Sequence, residues 1–89
     1  MPERHALVGS KVGLHARPAA LFVQAVSRQP VKVTIAKPGA KPVPANSILS
    51  VLALDARGGD EVVLVAEGEG SDAALDELVS LIASDFDGQ

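Results

Sequence analysis

Apolar residues recur at every second position in some stretches of this chain and at every third or fourth in others. That change of period most restricts the fold. Val31, Val33 and Ile35 alternate with Lys32 and Thr34, the pattern of a strand with one buried face. Residues 3–8 alternate too, with Ala6 and Val8 on one face and His5 and Leu7 on the other. Residues 61–66, EVVLVA, read as a further strong strand. Residues 41–45, KPVPA, read as a strand interrupted by proline and so suited to a sheet edge. Pro38-Gly39 marks the turn before it.

The helical spacing lies between these strands. Ala19, Phe22, Val23 and Val26 form one stripe of an amphipathic helix from Ala16 to about Arg28. Pro18 suits its first turn and Pro30 its end. Ser47 is the expected N-cap of a short helix, 48 to about 54, which Gly58-Gly59 follows as a break. Leu75, Leu78, Val79, Ile82 and Phe86 give a last helix, with Ser71 expected to cap it and Asp72 in its first turn. The order β-α-β-β-α-β-α predicts a two-layer α+β sandwich. It is a four-stranded, mainly antiparallel sheet with three helices on one face. At 89 residues the chain is expected to be one domain, 1–89.

Composition removes several kinds of chemistry. The chain has no cysteine, so it has no disulfide framework, thiol nucleophile or Cys-ligated metal. With two histidines and no carboxylate cluster beside them, no metal site is expected. There is no Trp or Tyr and only two Phe, which counts against nucleic-acid recognition by base stacking. No apolar run approaches the roughly 18 residues of a membrane span. Residues 1–20 hold no signal-peptide apolar core, so the cytoplasm is the expected compartment. The net charge of −3 hides an asymmetry. Residues 1–54 carry seven bases and one acid, a net of +6, whereas residues 55–89 carry Arg57 and ten acids, a net of −9. An acidic partner or an anionic group would suit the first half, unless the two signs mix on folding.

The run Gly13-Leu14-His15-Ala16-Arg17-Pro18 is where chemistry is expected. His15 falls where a loop meets the start of a helix, and a helix start offers unpaired N–H groups and the positive end of a dipole. Arg17 in the first turn is locally unfavourable, by up to about 1 kcal/mol, as functional positions often are. Gly13 allows a close approach or a positive φ. The bland alternative is an exposed turn histidine beside an ordinary surface arginine. His5, on a strand with nothing chemical beside it, is read as structural.

The longer run GLHARPAA, residues 13–20, resembles the signature of the HPr family. These are the histidine-containing phosphocarriers of the bacterial phosphoenolpyruvate-dependent sugar phosphotransferase system. Length, element order and the Asn46-Ser47-Ile48-Leu49 segment fit as well. The resemblance implies an open-faced β-sandwich. It also implies a phosphoryl relay from enzyme I through Nδ1 of His15 to the IIA domains of sugar permeases. Arg17 and the N–H groups of Ala16 and Arg17 would hold the phosphate. Such a protein is a carrier and not an enzyme, with no bound cofactor and, by default, a monomer. The implied docking face takes in Ala16, Ala20, Ile48, Leu49, Leu52 and Ala53, with Val51 and Leu54 facing the core. Ser47 matches the serine that a dedicated HPr kinase/phosphorylase modifies in some bacteria.

Ser50 stands where many relatives carry Gly or Lys, and Asp55 where a Gly usually closes the second helix. Gln24 and Ser27 stand where some carry Lys. The docking face is therefore expected to be less basic. Residues 37–44 carry an additional residue and three prolines, which affects the turn and the edge strand and leaves the site alone. Sister carriers of a nitrogen-related or dihydroxyacetone-kinase branch share the chemistry and differ in partners. A small acylphosphatase-like hydrolase would need a further catalytic amide or base, and the sequence offers no candidate.

Overall fold

The computed structural model describes residues 2–9, 13–14 and 16–84. The elements follow in the order β1 (Glu3–Leu7), α1 (Ala16–Ser27), β2 (Lys32–Ala36), β3 (Val43–Pro44), α2 (Ile48–Ala53), β4 (Glu61–Glu67) and α3 (Ser71–Ala83). They build the α+β open-faced sandwich. The sheet runs β1-β4-β2-β3, and every neighbouring pair is antiparallel.

Register gives the sheet its two faces. Ala6 lies opposite Val62, Ile35 opposite Leu64 and Val33 opposite Ala66. All six are buried, because a period of two sends alternate side chains to one side. Helices α1 and α3 close over that side with Phe22, Leu75, Leu78 and Ile82, all fully buried. Each such side chain contributes roughly 1.5–3 kcal/mol on leaving water. The other face, with His5, Leu7, Lys32 and Glu67, stays exposed.

The helical stripes are broader than spacing alone suggests. Ala25 joins Ala19, Phe22 and Val26 in the core, whereas Val23 and Val79 are only partly buried against it. Val31 precedes β2 and is also only partly buried. The proline-rich strand shrinks to Val43–Pro44 at the sheet edge, extended by a bond from the Ala45 N–H to the Val33 carbonyl at 3.0 Å. Proline offers the ladder no donor, so Pro42 and Pro44 keep this strand short.

Ser71 does not cap α3. The cap is Gly70, at φ 88°, with no side-chain cap bond. A left-handed glycine turns the chain into the helix directly. Ser71 becomes its first residue, buried, with Oγ donating to the Gly68 carbonyl at 2.6 Å. Phe86 lies outside the described residues. The two oppositely charged halves do meet. Arg4 reaches Asp72 at 3.1 Å and Asp76 at 3.4 Å, and Lys37 reaches Asp60 at 3.8 Å. These pairs are exposed and each contributes little, roughly 0–1 kcal/mol.

On the open face, His5 sits between two carboxylates. Nδ1 lies 2.5 Å from Glu61 on β4 and Nε2 lies 3.0 Å from Glu3. The hydrogen bond to Glu61, then that to Glu3, raises its pKa above 6.5 against a smaller lowering by desolvation. A raised folded pKa means that this stabilisation is complete below 6.5, the unfolded value, and fades as pH climbs through the folded value. The His5 ring is expected to titrate above 6.5 by proton NMR. The loss of stability above that pH should flatten in His5→Gln. A ring titrating at or below the ordinary value contradicts the arrangement.

Candidate functional site

Gly13 and Leu14 are held by the loop after α2. The Leu14 N–H donates to the Ala56 carbonyl at 2.8 Å, and both residues are fully buried. Gly13 has φ +74°, and a Cβ built on it would lie 2.2 Å from the Ala56 oxygen and 2.7 Å from Arg57 Cα. So both reasons for a glycine at this position apply: a left-handed backbone, and a contact that leaves no room for a side chain. The anchored segment then runs into α1, which opens at Ala16.

His15 lies outside the described residues, and α1 begins immediately after it in the chain. Arg17 is exposed in the first turn, with Pro18 buried behind it. No acidic residue occupies that turn, so the dipole's positive end and the arginine are not offset within it. First-turn amides, those of Ala16 and Arg17 among them, have no carbonyl partner within an α-helix.

Helix α2 packs beside α1 and supplies the neighbouring surface. Leu49 is 77% exposed and Ile48 38%. Ala53 is exposed, as is Ala20 on α1. Leu52 differs from its fellows, being half-buried against the core. A six-residue helix resting on Val51 also turns part of Leu52 inward, because residues one apart are only about 100° apart around the axis. Leu54 is half-buried at the C-cap, in contact with the core cluster. Ser47 is the N-cap, at φ −109° and ψ 116°, and its side chain accepts from the Ser50 N–H at 3.3 Å. A cap of this kind contributes about 1 kcal/mol.

Two features of the α2–β4 loop have only faint sequence signals. Asp55 takes φ 53°, the left-handed conformation of a helix terminus where glycine is usual. Its place straight after α2 is the signal. Arg57 follows the buried Ala56, and Nη2 reaches Asp55 Oδ2 at 3.3 Å. Among the described residues no group of three His, Cys, Asp or Glu side chains is placed to hold a metal ion. Nor is any helix there long and apolar enough to cross a membrane.

Comparisons with known proteins place the chain by family and fold. Residues 2–84 match the family model PTS-HPr, described as the PTS HPr component phosphorylation site. The phosphocarrier protein HPr of Streptomyces coelicolor is 52% identical over 83 residues, covering 93% of this chain and 89% of the relative. The crystal structure of an HPr from Thermoanaerobacter tengcongensis superposes with a TM-score of 0.90 at 42% identity, covering 100% of this chain and 98% of that one. The Bacillus subtilis protein Crh, described in its crystal structure as a domain-swapped dimer, matches with a TM-score of 0.71 at 41% identity. Coverage is 92% of this chain and 93% of Crh. The chain therefore belongs to the PTS-HPr family and is a phosphocarrier of the phosphotransferase system, not an enzyme.

Proposed function

We propose that His15 is the residue that carries the phosphoryl group, receiving it from phosphoenolpyruvate-charged enzyme I and yielding it to IIA domains of sugar permeases. The observation that supports this most is the helix start that follows His15 directly, with Arg17 exposed in its first turn. A neutral imidazole keeps a nucleophilic lone pair. In the transfer, Nδ1 of His15 attacks phosphorus. The N–P bond forms as the donor's own bond to phosphorus breaks, and that electron pair stays with the donor. The reverse sequence delivers the group to the acceptor. Little covalent work falls to the protein, which supplies position and charge. The amides of Ala16 and Arg17 donate to the phosphoryl oxygens, and the Arg17 guanidinium adds charge and a planar set of donors. Phosphohistidine is labile, so the group passes on readily.

Docking falls to the surface of Ala16, Ala20, Ile48, Leu49 and Ala53, with the exposed edge of Leu52. A relay that meets several partners needs a small apolar face and modest affinity. Leu49→Asp is expected to raise the KM of enzyme I for the carrier by about tenfold while leaving thermal stability within about 0.5 kcal/mol, since the residue is 77% exposed. An unchanged KM would remove Leu49 from the docking face. A phosphate on Ser47, added by an HPr kinase/phosphorylase, would place about −1.5 to −2 charges on this face and repel an acidic partner. The working form is a cytoplasmic monomer, one domain spanning residues 1–89, with no nucleic acid or membrane among its partners.

The test is incubation with enzyme I, phosphoenolpyruvate and Mg²⁺, followed by intact-mass measurement. One acid-labile phosphate per chain is the expected result. No gain in mass, or catalytic release of free phosphate, would overturn the reading.

A further inference from the structure

Arg57 is the one base among residues 55–89, yet it does not lie among the acids of α3. Its backbone is pressed against Gly13, two positions before His15, closely enough that a Cβ on Gly13 would meet Arg57 Cα at 2.7 Å. The residue before it, Ala56, holds Leu14 by the 2.8 Å hydrogen bond. Arg57 is itself well anchored. Its N–H donates to Asp60 Oδ2 at 3.0 Å, and its carbonyl accepts from the Asp60 N–H at 2.9 Å. The side chain projects from this fixed base, 76% exposed, with Asp55 Oδ2 at 3.3 Å from Nη2.

We propose that Arg57 is a specificity-determining residue for phosphoryl exchange, a second cation beside the His15 segment that recognises an acidic surface on the phosphoryl donor. The inference rests on the assignment of His15 as the acceptor. Arg17 is exposed in the first turn of α1, and Arg57 stands on the α2–β4 loop with its backbone against Gly13, so the two elements that adjoin positions 13 and 14 each carry an exposed cation. Arg17 is the one base in α1, and α2 has none, so an acidic partner that meets these helices finds a further positive charge on this loop. A charge at the edge of a contact acts mainly on encounter and on salt dependence. Asp55 offsets part of that charge and tempers the affinity, which suits a partner that must leave.

The assay is phosphoryl transfer from enzyme I charged with phosphoenolpyruvate, with the carrier as varied substrate, at low salt and at about 1 M salt, where screening shrinks to about 3 Å. Arg57→Ala is expected to raise KM about two- to fivefold at low salt, the scale of an exposed ion pair, with kcat unchanged and the difference gone at high salt. Arg57→Lys keeps most of the effect of the charge, and Asp55→Asn lowers KM. An unchanged KM at low salt, or a rise that persists at high salt, overturns the proposal, the latter because it would mark a structural role. If wild type takes phosphate on His15 and Arg57→Ala behaves as wild type, this inference alone fails. If wild type takes none there, the acceptor assignment fails first.

Discussion

His15→Ala is expected to abolish phosphoryl acceptance outright, with the fold retained. Phosphorus needs a nucleophile at the head of α1, and no other residue of that segment offers one: Gly13, Leu14, Ala16 and Pro18 carry no nucleophilic group, and Arg17 is a permanent cation. Arg17→Ala is expected to behave differently. It removes charge and donors while leaving the imidazole, so transfer should slow by about a hundredfold, the scale of one lost electrostatic contact in a transition state. Rates of label uptake from enzyme I separate the two variants. A His15→Ala protein that still takes label, or an Arg17→Ala protein as fast as wild type, contradicts the assignment.

A large effect on stability is expected at Gly13. Alanine there would place Cβ 2.2 Å from the Ala56 carbonyl oxygen, a backbone atom that no rotamer change can move aside. It would also hold an L side chain at φ +74°. Left-handed backbone costs about 1–2 kcal/mol and forced overpacking about 1–3 more, so a loss of about 2–5 kcal/mol is expected. Gly39 gives the comparison, because its φ is +79° but nothing lies within 4 Å of a built Cβ. Gly39→Ala should lose only the left-handed part, about 1–2 kcal/mol. Urea midpoints of the two variants measure the difference. Equal losses would mean that the approach of Gly13 to Ala56 is not the constraint. The same substitution pushes at the Leu14–Ala56 hydrogen bond, so it should also slow phosphoryl acceptance in whatever fraction folds.

Much of this architecture is legible in the spacing of apolar residues, and the exceptions have physical causes. Strand β2 and helices α1 and α3 stand out because each buries one face against a common core, so their periods survive in the letters. Strand β3 does not, since Pro42 and Pro44 remove ladder donors and leave two paired residues where five were expected. Ser71 reads as a cap because a serine beside an acid at a helix start usually is one, but Gly70 is free to turn left-handed and takes the position. Leu52 reads as outward in a helix too short for its period to settle.

The site divides in the same way. The positions of Arg17, Ser47 and Leu49 follow from local pattern, and the meaning of the run around His15 comes from its resemblance to a known signature. The hold of Ala56 on Leu14 has no local signal, because it joins two loops distant in sequence. The carboxylates around His5 were hidden for a related reason. Glu3 lies two residues away on the same strand, but Glu61 arrives only when β4 pairs with β1.

Only two imidazoles are present in the chain, and Lys11 lies between them. Trypsin therefore separates a peptide containing His5 from one containing His15. The most direct measurement is peptide mapping of wild-type protein after charging by enzyme I and phosphoenolpyruvate, kept at neutral to alkaline pH throughout. Phosphate confined to the His15 peptide, and lost again on adding an acceptor IIA domain, is the predicted result. Phosphate on the His5 peptide, or on neither, would contradict it.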